Sequence, residues 1–438
     1  MEAIAPQLEP IVSSAGVCDW ENIDVIRQKR IFQALAPQTT PSCIVYPNTQ
    51  AELAQVIACT HRNNWRVLPC GSGSKLSWGG LAKGVEVVVS TERLNMVIQH
   101  AVGDLTVTVE AGTKFADLQC TLATAGQFLA LDPAAPESAT MGGIVATADT
   151  GSLRQRYNGV RDQLLGITFV RADGQMVKAG GRVVKNVAGY DLMKLFTGSI
   201  GTLGIITQVT FRVYPLPEAS GTVVLTGEAD AIALASTTLR SSALTPNSAD
   251  LLSLQLVASL GIGQGLGLIT SFASMTESVK EQSTRLMDVG QKLGLKGGLY
   301  SADDEADLWQ KLRLQMTAST TEPVITCKIG VIPSAAVATM TQMDSLAEQR
   351  GSGLIHASSG LGVLRLETSA QMLETVLKLR SLCLANKGFL TILEAPITLK
   401  QQLDVWGYTG NAMDIMRRIK QQFDPENLLS PDRFVGGI

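Results

Sequence analysis

Aromatic residues make up only 5% of this 438-residue chain, so its cores must be built from Leu, Val, Ile and Ala. Neither sign of charge dominates. The 36 Lys and Arg against 39 Asp and Glu leave a net charge of −3 and no basic stripe, which argues against nucleic acid as a main partner. The seven cysteines, at 18, 43, 59, 70, 120, 327 and 383, are odd in number and form no C-x-x-C pair. That disfavours a disulfide framework, a zinc ribbon or an iron–sulfur ligand set, and buried free thiols in a reducing compartment are expected instead. No apolar run approaches the roughly 20 residues that span a membrane. The opening MEAIAPQLEPIVSSAG lacks the basic and apolar regions of a secretory signal. A cytoplasmic protein with no membrane span of its own is expected. Histidine is scarce too, with three in the whole chain.

What is present is an ordinary globular composition, 45% hydrophobic and 17% charged, long enough for two or three domains. Thr49 followed by Glu52 is a capping box ahead of Leu53, Val56 and Ile57 at helical spacing. Short strands follow at WRVLP (65–69), VEVVVS (85–90), NMVIQH (95–100) and LTVTVEAG (105–112), with a helix over 114–125. From 126 to 217 glycine-rich loops alternate with apolar strands, and LPEASG (216–221) reads as a linker. Beyond it, strands near 221–226, 250–257 and 363–367 and helices near 276–293 and 334–349 suggest an α+β domain with an antiparallel sheet. The tail IMRRIKQQFDPENLLSPDRF is a short basic helix ending in a turn.

The stretch PCGSGSKLSWGG (69–80) has the small and hydroxyl residues that let bare backbone N–H groups approach an anion. It is not a Walker A loop, because Ser74 precedes Lys75 and Leu76 follows it. Nor is it a Rossmann turn, because Leu76 breaks the glycine spacing and a strand follows in place of a helix. Taken alone, a glycine-rich turn without a ligand competes with a phosphate loop. Two more small-residue stretches, 138–151 and Gly198, Gly201 and Gly204 ahead of a strand, favour a long dinucleotide held between them. A similar-looking segment, LGIGQGLGLIT (260–270), has alternating glycines leading into a strand and is read as a flexible hairpin.

The segments ATMGGIVA (139–146), RQRYNGVRDQLLG (154–166) and VVKNVAGYDL (183–192) resemble the FAD-binding domain of the vanillyl-alcohol oxidase and p-cresol methylhydroxylase (PCMH) type. Within that superfamily the sequence is similar to the FAD-binding subunits of bacterial glycolate oxidases. The likeness is strong over about 40–217, weaker over 218–400, and returns in FDPENLLSPDRF (423–434). The resemblance implies an α+β fold: an extension at 1–39, a two-subdomain PCMH-type FAD domain at 40–217, an α+β cap with an antiparallel sheet at 218–400, and a helical tail at 401–438 packing back on the flavin domain. It assigns the FAD pyrophosphate to Gly71, Ser72, Gly73 and Ser74, with Gly79 and Gly80 closing the turn. It assigns a second wall to Thr140, Met141, Gly142, Gly143, Ile144 and Ala146, places Asp162 and Ile206 beside the adenosine half, and adds Gly201 from the third stretch. Cys70 stands where an Arg is usual, which implies a lost charge and weaker binding. Ser74 replaces the His that carries covalent flavin in some members, and no Cys lies between 121 and 326, so FAD is expected to be non-covalent.

Oxidation of a 2-hydroxy acid needs a base for the hydroxyl proton, flavin N5 for the hydride and a cation for the carboxylate. Relatives carry an HxGDGNxH-like motif in the second domain; here it is HASSGLGVLRL (356–366), with Ser359 for the acid and Val363 for the second His. No two-His metal site can come from it. His356 is the candidate base, and Arg365, expected on the same strand, the candidate carboxylate holder. Lys185, Asn186 and Tyr190 match positions near the isoalloxazine side. A satisfied structural His and a salt-bridged sheet Arg are the competing readings, and His61 and His100 are taken as structural. The implied function is that of an FAD subunit oxidising glycolate or a similar 2-hydroxy acid. Its implied partners are a sibling flavin subunit and an iron–sulfur subunit, through which any membrane attachment would come. The alternatives are a non-catalytic flavin-binding or structural subunit and a stand-alone FAD oxidoreductase for another hydroxy acid or a sugar.

Overall fold

Three consecutive valines, Val87, Val88 and Val89, are all 0% exposed, as a strand covered on both faces requires. In the computed structural model this strand, Val87–Ser90, pairs in parallel with Cys43–Val45 on one side and Val67–Cys70 on the other. Val17–Asp19 closes the four-stranded sheet by pairing antiparallel with Cys43–Val45. The structure describes residues 4–182, 189–317, 323–348, 350–369 and 371–438. The helix Gln50–Arg62 packs on this sheet through Leu53, Val56 and Ile57. It starts where the capping box places it: Thr49 Oγ1 accepts from Glu52 N at 3.1 Å. The Glu52 carboxylate reaches one residue further back than a standard box, accepting from Asn48 N at 2.8 Å.

A five-stranded antiparallel sheet follows, in the order Val97–Ala101, Thr106–Glu110, Ile205–Arg212, Leu164–Val170, Met176–Gly180. Its core is mostly aliphatic, with Phe115, Phe169, Phe196 and Phe211 among the buried residues; Phe169 and Phe196, with ring centroids 4.0 Å apart, also meet Phe423. These sheets belong to one unit made of Met1–Thr150, Gly159–Leu216 and Tyr408–Ile438. The described part of the 1–39 stretch contributes buried residues to this unit. Ala5, Leu8 and Val12 of the helix Ile4–Val12 pack in one cluster with Val56 and Val87.

The other unit comprises Gly151–Asn158 and Pro217–Gly407. Its eight strands form one antiparallel sheet in the order Lys296–Tyr300, Ala219–Gly227, Leu266–Ser274, Ser248–Leu252, Gly351–His356, Leu361–Glu367, Val324–Gly330, Phe389–Glu394. Helices Thr276–Lys292 and Ala336–Leu346 match the spacing-based expectation closely. The expected strand over 250–257 does not. Ser253 ends it, and its Oγ accepts from Leu256 N at 3.3 Å to cap a helix, Leu254–Leu260. The segment 260–270 leads into the strand Leu266–Ser274 as expected, but it leaves the end of the helix Leu254–Leu260 and is a helix-to-strand turn rather than a hairpin. All seven cysteines are free. Among the described residues no helix is long and apolar enough to cross a membrane.

Candidate functional site

The strand Val67–Cys70 delivers the chain into the stretch 71–80, which forms turns and opens no helix. Gly71 lies so close to the second wall that a Cβ there would sit 2.1 Å from Thr140 Oγ1. Gly73 has a φ of +80°, the left-handed region that glycine adopts without strain. Ser72 Oγ bonds the Ser138 carbonyl and ties the loop to the same wall. Among the described residues, the backbone N–H groups of Gly71, Ser72, Gly73, Ser74 and Lys75 find no acceptor. Unpaired N–H groups in a segment that lines a cleft are a ready binding surface for an anion.

The other small-residue stretches meet this loop. Thr140 and the short helix Met141–Thr147 form the second wall. Gly198 N donates to Val145 O at 2.9 Å and Ile200 N to Ala146 O at 2.8 Å, so the third wall is hydrogen-bonded to the second. Together they line one open cleft. Of the residues singled out in the sequence, Gly71, Ser72, Gly73, Ser74, Thr140, Gly142, Gly143, Ala146, Gly201 and Ile206 line it. Gly79, Met141, Ile144 and Asp162 do not. Met141 and Ile144 turn their side chains into the core at 0% exposure. Asp162 accepts from Gly159 N at 3.0 Å and closes a turn. Gly79 belongs to the end of the loop, where the next residue, Gly80, donates to Arg433 O at 2.9 Å.

Two cationic groups lining the cleft went unnoticed in the sequence. Lys75, buried, lies with Nζ 3.1 Å from the buried Asp149 Oδ2. Arg433, 3% exposed, comes from the C-terminal tail and donates from Nη2 to Leu76 O at 3.0 Å and to Trp78 O. Burial lowers its pKa to about 10. The charge that Cys70 was expected to remove is thus matched by a guanidinium in the same cleft. Cys70 faces the cleft but is packed round by protein, and burial pushes its thiol up to about 12, so it stays protonated at neutral pH. Lys75 could have been found from its place in a Gly/Ser loop. Arg433 carries no local signal, being more than 350 residues away.

In the other unit His356 ends its strand directly opposite Asp250. His356 Nδ1 and Asp250 Oδ1 are 2.6 Å apart, with side-chain exposures of 6% and 0%. Such a carboxylate holds an imidazole in one orientation and leaves Nε2 as the reactive nitrogen. Arg365 is not on the same strand. Residues 356–366 bend as a hairpin between Gly351–His356 and Leu361–Glu367, and Arg365 pairs with Ser352. That is four residues from His356, about 13 Å along the strand. Its Nη1 donates to Gln315 O at 3.3 Å. The structure therefore does not bring Arg365 to His356. Ser359 is exposed in the hairpin turn. Tyr190 is 87% exposed, and Lys185 and Asn186 lie outside the described residues.

A family model described as an FAD binding domain matches residues 41–180. Over nearly its whole length the chain is similar to glycolate oxidase subunit GlcD of Bacillus subtilis: 24% identical over 427 residues, covering 90% of this chain and 89% of that one. It is 32% identical over 206 residues to the mitochondrial D-lactate dehydrogenase (cytochrome) 1 of Saccharomyces cerevisiae, covering 46% of this chain and only 35% of that protein. The fold matches that of p-cresol methylhydroxylase with a TM-score of 0.78 at 15% identity, covering 98% of this chain and 95% of that one.

Proposed function

This chain carries an FAD-binding domain on a PCMH-type fold, and from that premise we propose that it oxidises glycolate or a similar small 2-hydroxy acid to the 2-oxo acid. The observation that carries the cofactor half is the unpaired N–H row of Gly71–Lys75 in the segment that lines the glycine-walled cleft, which fits the diphosphate of FAD. Bound FAD supplies a two-electron acceptor. The chain itself must hold that cofactor, accept the proton from the substrate hydroxyl and exclude water. His356 accepts the proton at Nε2, and Asp250 keeps the ring aligned and stabilises the imidazolium that results. Support for the substrate class comes from the named activities of the glycolate oxidase and D-lactate dehydrogenase relatives. A relative of matching length is a glycolate oxidase subunit, which supports a place in a multi-subunit assembly; an iron–sulfur subunit as electron outlet is our further proposal. Its FAD is held without a covalent bond.

A second reading is favoured by the reduced motif at 356–366: Ser359 and Val363 leave His356 without the further acid and His of its pattern. In that reading the subunit binds flavin and supports a catalytic sibling. Anaerobic addition of glycolate or D-lactate to the FAD-loaded protein separates the two. Bleaching of the flavin band in the wild type, and its loss in His356→Ala with FAD retained, is the expected outcome. A flavin that stays oxidised with every 2-hydroxy acid leaves only the supporting role.

A further inference from the structure

We propose that the C-terminal segment Ser430–Arg433 forms a fourth wall of the FAD site, in which Arg433 is the cation for the cofactor diphosphate and the Ser430 hydroxyl is a further ligand. The proposal rests on the FAD reading and adds to it residues from the opposite end of the chain.

Ser430 is 1% exposed and lines the cleft, yet its Oγ has no hydrogen-bond partner among the described residues. A hydroxyl buried without a partner is costly unless something else fills the role. A Cβ built on Gly201, across the cleft, would stand 3.3 Å from that oxygen, so the space is kept narrow.

Charge balance points the same way. A diphosphate brings about two negative charges. The loop's own cation, Lys75, already lies against Asp149, so that pair is close to neutral. Arg433 is the other cation lining the cleft among the described residues. Its hold on the carbonyls of Leu76 and Trp78 sets the planar group against the end of the loop that follows the unpaired N–H groups of Gly71–Lys75. Burial penalises its charge, and an anion in the cleft would relieve that penalty.

The tail is fixed in place independently of any ligand. Val67 N donates to Leu428 O at 2.7 Å and Ser430 N to Val67 O at 2.9 Å, joining the tail to the strand that feeds the loop. Lys420 Nζ donates to Thr202 O, Asp424 Oδ2 and Leu429 O, at 2.9, 2.6 and 2.9 Å. Ser430 and Arg433 are therefore preorganised ligands rather than a loose end.

The test is FAD titration of the full-length apoprotein, followed by flavin fluorescence at low and high salt, with apoprotein melting measured in parallel. Ser430→Ala is expected to weaken FAD roughly three- to tenfold without changing apoprotein melting, because the hydroxyl makes no hydrogen bond among the described residues. Arg433→Met is expected to weaken FAD roughly tenfold or more and to make its binding less sensitive to salt. Cys70→Arg added to Arg433→Met should restore part of both. Wild-type affinity in Ser430→Ala overturns the proposal, including when Arg433→Met does not fold. So does a loss in Arg433→Met with unchanged salt dependence and no recovery by Cys70→Arg, which would make Arg433 a brace for the loop alone. A wild-type protein that binds no FAD overturns the underlying FAD reading, a result separate from these.

Discussion

In the first unit five successive N–H groups, Gly71 to Lys75, are left without acceptors beside a cleft, while in the second the strand Leu361–Glu367 is paired along both edges, to Gly351–His356 and to Val324–Gly330. The second unit keeps its polar interest in side chains instead, above all the His356–Asp250 pair on adjacent strands. Both follow from one rule: backbone polar groups inside a protein are paired unless a ligand is to pair them. A saturated sheet can offer a reacting side chain but not an anion cradle. The glycine-walled loops can offer the cradle because they give up regular pairing.

The largest effect is expected where the cradle is closest packed. Gly71→Ala drives a Cβ against Thr140 and must lift the loop from its wall, so FAD affinity should fall by about 10- to 100-fold while the eight-stranded sheet stays intact. Flavin titration with far-UV circular dichroism checks both halves; unchanged affinity would break the contrast between the units. Next is the buried Lys420–Asp424 pair, which shows what a fully satisfied polar group in the first unit is worth. Lys420→Met strands a buried carboxylate that retains only the N–H groups of Leu428 and Leu429, and should cost about 3 kcal/mol in urea unfolding. The smallest effect belongs to the second unit. Burial raises Asp344 to about 6, partly opposed by the hydrogen bond from Leu254 N. A raised carboxyl pKa means that the folded state holds the proton more tightly than the unfolded one. Stability is therefore lost as pH rises from about 4 through about 6. Asp344→Asn should then stabilise by about 1 kcal/mol near pH 8, after allowance for solvent screening, and by almost nothing near pH 4. Thermal melts at the two pH values check the sign.

Much of the first unit was legible because its signals are local. Thr49 and Glu52 mark a helix start, the valines at 87–89 mark a doubly covered strand, and the three small-residue stretches mark where backbone comes close to backbone or ligand. The strand expected over 250–257 failed for an equally local reason: Ser253 is a good helix cap, and its apolar neighbours suit either structure. Arg365 was misplaced because a turn at 357–360 reverses the chain, so His356 and Arg365, nine residues apart in the sequence, fall on different strands.

By itself the sequence determined the kinds of surface this protein can make: aliphatic cores, free thiols, a glycine-and-serine loop with one lysine and without Walker or Rossmann spacing, and one histidine outside the first domain. Those depend on composition and on spacing over a few residues. Only the tertiary structure decided that Asp250 would meet His356 from 106 positions away, and that Ser430 and Arg433 would stand beside Gly71. Such meetings are set by sheet order and by where the tail returns, and no local propensity encodes a contact between residues so far apart in the chain.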